Sequence, residues 1–116
     1  MTKPVAYICC PLGASTQEEI LCNIANAERY SVWAELGGNK TIVPHRLATI
    51  LNDSNPEHRR MGIEIDLKIL FPLADKVFVF GDRISSGMEK EIALAKEKNI
   101  EVKYFSLIEN NIVERS

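Results

Sequence analysis

The sequence predicts an α/β fold: one three-layer domain with a mainly parallel sheet of four to five strands. Two observations carry this. Short runs of apolar β-formers, such as Val5–Cys10 and Lys76–Phe80, do not alternate with polar residues, and helix-type segments lie between them. Strands covered on both faces read as continuous apolar runs, and strands separated by helices pair in parallel with helices on the sheet. The chain has 116 residues, enough for one domain and one core without disulfides or metals. Its 3 cysteines make no framework, because Cys9 and Cys10 are adjacent and Cys22 stands apart.

The elements follow in order. Val5–Cys10 is the first strand, and Pro11-Leu12-Gly13-Ala14 forces a loop. Ser15-Thr16-Gln17-Glu18 reads as a capping box, with the Ser15 hydroxyl serving the Glu18 amide. Ile20, Ile24, Ala27 and Ala34 then recur at near-helical spacing, with Leu21 and Val32 beside them, until Gly37-Gly38 stops the helix. Tyr30 and Trp33 on this helix read as core or as a homodimer interface. Lys40–Val43 is the second strand, ended by Pro44. Leu47–Leu51 gives a helical turn or two, and Asn52–Pro56 is a loop. Asn55 and Pro56 then supply the cap and first residue of a helix on which Met61, Ile65 and Ile69 step by four as far as Pro72. Lys76–Phe80 is the clearest strand. Ser86-Gly87-Met88-Glu89 reads as a second capping box for a helix to about Lys98, and Glu101–Phe105 is the last strand. The core is placed at about 4–105, with a short tail.

Charge and composition exclude several classes. With 14 basic and 16 acidic residues the net charge is -2, against the basic face that a nucleic acid polymer requires. No apolar run approaches the ~20 residues of a membrane span, and the first residues lack a signal-peptide core, so a cytoplasmic protein without a membrane partner is expected. Cys9, Cys10 and His45 do not have zinc-site spacing, so no metal and no cofactor is expected.

In open parallel sheets ligands sit at the C-terminal ends of the strands. That rim holds Cys9–Ala14, Pro44–Leu47 and Gly81–Gly87. Ser85, Ser86 and Gly87 lie where a strand becomes a helix, so free amides there offer an anion site or simply a capped end. Glu91 shares the helical face of Met88, Ile92 and Ala95, which touches the sheet. A carboxylate there is costly unless it meets the rim or a partner, or ends in water at the edge. Burial raises its pKa, while the helix N-terminus lowers it. Asp82 and Arg83 face a ligand or form a solvated ion pair. His45 lands on the same rim. Asp75, at the other end of its strand, reads as structural.

Together these segments resemble the nucleoside 2-deoxyribosyltransferase-like proteins of the SLOG group of Rossmann-like nucleotide-ligand domains. The resemblance spans about residues 4–105. It rests on Tyr7-Ile8-Cys9-Cys10-Pro11-Leu12, on Asn23–Gly37, on Val43-Pro44-His45 and on Leu73–Phe80 with its leading Asp75. Above all it rests on Ser86–Ala95, where Glu91 follows Gly87 by four and a small residue follows four beyond. The segment is also similar, more closely, to small bacterial and phage domains built around a Gly-Asp-Arg-Ile-Ser, Gly-Met and Glu-Ile pattern. The resemblance implies a Rossmann-like domain in which Glu91 attacks the anomeric carbon of a nucleoside or nucleotide. Asp66 or Glu64 would be the acid helper. Ser85, Ser86, Gly87 and Met88 would hold ribose or phosphate, and Tyr7, Cys9 and Pro11 would line the base pocket, with His45, Asp82 and Arg83 near it. A homodimer is implied as well.

Two readings stay open. One is an enzyme of the deoxyribosyltransferase or nucleotide N-glycosidase type, hydrolase or transferase. The other is a non-catalytic module that senses or sequesters a nucleotide-derived small molecule, because fold does not fix activity.

Overall fold

A computed structural model describes residues 2–51 and 55–115. Asn52, Asp53 and Ser54, at the centre of the expected loop, lie outside the described residues. The elements are β1 (Val5–Cys9), α1 (Gln17–Leu36), β2 (Lys40–Ile42), α2 (Pro56–Ile65), β3 (Lys76–Phe80), α3 (Ser86–Glu97), β4 (Glu101–Ile108) and β5 (Asn111–Arg115). The sheet order is β2-β1-β3-β4-β5. The first four strands pair in parallel and β5 runs antiparallel to β4. The α/β class and the mostly parallel sheet follow the sequence expectation.

Side chains alternate along each strand, so β1 feeds two separate cores. Ala6, Ile8 and Cys10 join Ala27, Tyr30 and Ala34 of α1, together with Phe78, Phe80 and Phe105. Tyr7 and Cys9 join Val77, Val79, Phe71 and the Met88, Ile92 and Ala95 face of α3. This double coverage is why the strands carry no polar alternation. In the first core Tyr30 stacks on Phe80 at 4.3 Å, and Trp33 meets Phe105 edge-on at 5.0 Å. At the N-terminal rim the Val5 amide donates to Asp75 Oδ2 at 2.7 Å, which ties the start of β1 to β3.

Both helix caps lie one residue from the expected ones, later by one in α1 and earlier by one in α3. Thr16, in extended conformation, accepts from the Glu19 amide at 3.1 Å, and Ser85 accepts from the Met88 amide at 3.3 Å. Ser15-Thr16 and Ser85-Ser86 each offer two hydroxyls, and the cap goes to whichever keeps extended backbone.

The helix expected to run unbroken to Pro72 does not. After α2 it widens into a π turn over Asp66–Leu70 and tightens into a 3₁₀ turn over Phe71–Leu73. Met61 is already exposed on α2, and the wider turn then changes the phase of the side chains that follow, so Ile69 is exposed and Phe71 is buried. Such turns often mark functional sites, and this one begins at Asp66.

The expected tail after Phe105 is also different. β4 continues to Ile108 and returns as β5. Glu109 and Asn110 both have positive φ, 50° and 67°, as the tight hairpin turn matching strand twist requires. Glutamate is strained there. Glu109→Gly is therefore expected to stabilise the chain by about 1 kcal/mol in urea unfolding.

Candidate functional site

After β2 the chain returns to the other side of β1 to form β3. This reversal opens a crevice between the C-terminal ends of β1 and β3, which is where ligands enter sheets of this kind. Cys10 and Pro11 leave β1 at this point, Gly81, Asp82 and Arg83 leave β3, and the first turns of α3 stand above them.

Beneath the rim lies a tyrosine shared by two carboxyl groups. Tyr7 is fully buried, with its ring edge-on to Phe71 at 5.0 Å. Its hydroxyl donates to Asp66 Oδ1 at 2.5 Å. Glu91, in the second turn of α3, faces the same hydroxyl closely enough that each group shifts the other's titration, and its Oε2 is buried with no partner. The phenol carries one proton, and the short bond to Asp66 claims it. A protonated Glu91 can in turn donate to the phenol oxygen, which makes a relay from Glu91 through Tyr7 to Asp66.

The electrostatics agree with that arrangement. Burial pushes Glu91 up to about 8; the Tyr7 hydroxyl opposes the rise and the Asp66 charge adds to it. Burial also raises Asp66, against the Tyr7 bond. Tyr7 is pushed far up by burial first and then by the two carboxylates. Burial followed by the Glu91 charge holds Cys9 well above the usual thiol range and pushes Cys10 up to about 12. Both thiols are therefore neutral and unsuited to nucleophilic attack.

Of the two candidate acids, Asp66 reaches the tyrosine and Glu64 does not. The Glu64 carboxylate is half-exposed and pairs with Lys68 at 3.2 Å and Arg60 at 3.8 Å. The two acids are neighbours but one, so they point to opposite sides of the helix, Glu64 to a solvent ion-pair ladder and Asp66 to the buried tyrosine. Tyr7 and Cys9 are sealed beneath the rim, so neither lines a base pocket. Met88 is also core, its side chain packed with Tyr7 and Ile92, rather than a ligand contact. Both corrections follow from strand and helix phase: these side chains point at the sheet's covered face.

His45 is buried, with Nε2 at 3.0 Å from the Pro11 carbonyl and 3.5 Å from Cys10 Sγ. Burial lowers its pKa, so the neutral ring donates to Pro11 and pins the turn. Ser85 caps α3, while Ser86 and Gly87 stand exposed in its first turn. Nothing lies within 4 Å of where a Gly87 Cβ would stand, so packing does not require glycine there.

Asp82 is not paired with Arg83. Its Oδ1 accepts from Ser106 Oγ at 2.9 Å and lies 3.9 Å from Arg115 Nη1, and Arg115 Nη2 donates to the Gly81 carbonyl at 3.1 Å. The hairpin that the sequence reading missed thus anchors the β3 rim loop. On the α1 side of the crevice, Pro11, Asn23, Asn26, Tyr30, Asp82 and Arg83 line a cleft of about 140 Å³. A larger open depression of about 810 Å³ lies by Lys3, Glu35 and Lys40 at the opposite rim. It is at the N-terminal ends of the strands, away from the relay, and topology gives it no ligand role.

Among the described residues no cluster of three or more His, Cys, Asp or Glu is arranged to hold a metal ion, and no helix is long and apolar enough to cross a membrane. The family model Domain of unknown function (DUF7768) matches residues 4–105, and the chain belongs to that family. No curated protein matches the chain.

Proposed function

We propose that this member of the DUF7768 family cleaves or transfers the N-glycosidic bond of a nucleoside or nucleotide, on a Rossmann-like three-layer domain. The observation that carries the reading is the unpartnered, buried Glu91 oxygen beside the Tyr7–Asp66 bond, at the switch point of the sheet. The resemblance of Ser86–Ala95 to the nucleoside 2-deoxyribosyltransferase-like segment supports it.

One proton on the pair arms both groups. Glu91 passes its proton to the Tyr7 oxygen while Tyr7 passes its own to Asp66. Glu91 is then a carboxylate and Asp66 an acid. The Glu91 carboxylate attacks the anomeric carbon, and the base leaves with the electron pair of the broken C–N bond. Asp66 protonates the departing base. A water or second base next attacks the glycosyl ester and restores the Glu91 carboxylate, and Asp66 takes the proton this nucleophile loses. Two easier displacements replace one difficult one, with retention at the sugar carbon. Exposed Ser86 and Gly87 amides suit a ribose hydroxyl or a phosphate. The reading goes with a small-molecule partner, a homodimer and a cytoplasmic location.

One observation favours the alternative, a module that binds without turnover. Glu91 keeps its proton up to about pH 8, and a neutral carboxyl is a good hydrogen-bond partner for a ribose hydroxyl. The two readings separate in one assay. The chain is incubated with deoxynucleosides, deoxynucleotides, ribonucleotides and NAD. Released base is read by chromatography and thermal shift is recorded beside it. The enzyme reading expects base release; shifts without release give the binding module. Tyr7→Phe keeps the ring on Phe71 and breaks the relay, so base release is expected to fall about 100-fold with nucleoside affinity retained.

A further inference from the structure

The β3 rim loop carries a backbone donor that the steps above leave unused. The Gly81 amide donates to the Phe105 carbonyl at 3.0 Å, and the Gly81 carbonyl accepts from Arg115 Nη2 at 3.1 Å. Both contacts lie on the β4–β5 side of β3, and β1 lies on the other side. No peptide bond among the described residues is cis. In a planar trans peptide the carbonyl and the N–H of the next residue point in opposite directions. The Gly81 carbonyl is turned toward Arg115, so the Asp82 N–H is turned toward β1. The last pair between β1 and β3 is Cys9 with Val79, so no strand remains there to accept from it. The Asp82 N–H therefore points into the crevice between the two strand ends. Among the described residues it makes no hydrogen bond.

The surroundings hold that orientation. Gly81 has a φ of 93°, and nothing lies within 4 Å of where its Cβ would stand. The backbone rather than packing thus requires glycine at this turn. Arg115 stands across from Tyr104 in the β4–β5 register, with its guanidinium 5.6 Å from the centre of the Tyr104 ring. Attraction between a cation and a ring face seats it there. The same guanidinium lies 3.9 Å from Asp82 Oδ1, which also takes the Ser106 hydroxyl at 2.9 Å. A planar guanidinium presents several donors in a fixed fork, so it can serve the Gly81 carbonyl and the Asp82 carboxylate together.

Two facts connect this clamp to the site. Tyr104 packs against the same core as Tyr7, Val79 and Met88, so Arg115 stands on the sheet face that carries the relay. The loop it holds runs directly into α3, through Ile84, packed in that core, and the Ser85 cap. Ser106 and Arg115 both lie beyond the residues 4–105 that the family model matches.

We infer that the Asp82 amide donates a hydrogen bond to an acceptor atom of the bound nucleoside or nucleotide, and that Arg115 is the positioning residue that aims it. The ligand class rests on the glycosidic-bond reading. The new content is the backbone donor and the residue that orients it.

The test is an amide NMR titration of the native chain with the four common 2′-deoxynucleosides and their 5′-monophosphates. Affinities, and KM and kcat wherever base is released, are measured beside it for Arg115→Ala, Arg115→Lys and Ser106→Ala. Binding is expected to move the Asp82 amide signal and to slow its hydrogen exchange about tenfold. Arg115→Ala is expected to weaken binding and raise KM about tenfold, with kcat within about threefold and a nearly unchanged melting temperature. Arg115→Lys keeps one donor for the Gly81 carbonyl and is expected to recover most of the affinity. Ser106→Ala releases the Asp82 side chain but not the Gly81 carbonyl, so affinity is expected to change less than about threefold. An Asp82 signal unmoved at saturation overturns the inference, as does native affinity in Arg115→Ala or the absence of binding by any of these ligands. An equal fall in kcat and affinity also overturns it, because general loosening of the hairpin would have that effect. Binding that moves the Asp82 signal without base release keeps the inference and rejects the enzyme. Base release with the Asp82 signal unmoved does the reverse.

Discussion

Glu91→Gln is expected to lower base release about 10³-fold or more while leaving nucleoside affinity within about threefold. The same substitution is expected to stabilise the folded chain. Burial raises Glu91 from its ordinary value near 4.5 to about 8. Between those values the folded chain holds a proton that the unfolded chain has released. Wild-type stability therefore falls as pH rises through that window, at up to about 1.4 kcal/mol per unit for one proton. Glutamine stays neutral, so the variant gains on the wild type from about pH 5 to 8. Urea unfolding at several pH values reads the difference; parallel curves for the two chains would mean that Glu91 is not held in its neutral form. Catalysis follows the same proton. The relay needs one proton on the Asp66–Glu91 pair, so activity is lost as pH rises past about 8 and the last proton leaves.

Phe71→Ala carries the largest expected cost in stability, about 3–5 kcal/mol in denaturant unfolding. The ring is fully buried in the core on the α3 side and sits edge-on against Tyr7 at 5.0 Å. Truncation leaves a cavity where β1, α3 and the turns after α2 converge. Phe71→Leu keeps most of the volume and is expected to cost less than about 1.5 kcal/mol. The alanine variant is also expected to lose base release beyond its loss of folded fraction, because the ring packed edge-on against Tyr7 is gone and the Tyr7 hydroxyl is no longer held as firmly under Asp66. A cost below about 1 kcal/mol would contradict this packing account.

Residue patterns explain what the sequence made legible. Lys76–Phe80 could be read as a doubly covered strand because Val77, Phe78, Val79 and Phe80 are all apolar, and both cores claim them. Glu91 stood out because a carboxylate interrupts the Met88, Ile92 and Ala95 face. Asp66 was reachable only through the resemblance, since periodicity cannot register the extra residue of a π turn. That same turn leaves Ile69 facing outward. Tyr7 was read as a rim contact, although the strand alternation that covers both faces of β1 already placed it beside Cys9 on the buried side. β5 was hidden because its turn uses Glu109-Asn110 at positive φ instead of a glycine pair. With β5 went Arg115, and with the longer β4 Ser106, the two residues that hold the Asp82 loop.

The most direct measurement is the mass of the chain itself. The native protein is mixed with a nucleoside whose base it releases, quenched in acid within a turnover, and digested. The peptide carrying Glu91 is predicted to gain the mass of one glycosyl group, and Glu91→Gln is predicted to show neither the adduct nor base release. Base release that survives in Glu91→Gln, or an adduct on any other residue, would contradict the assignment of Glu91 as the nucleophile.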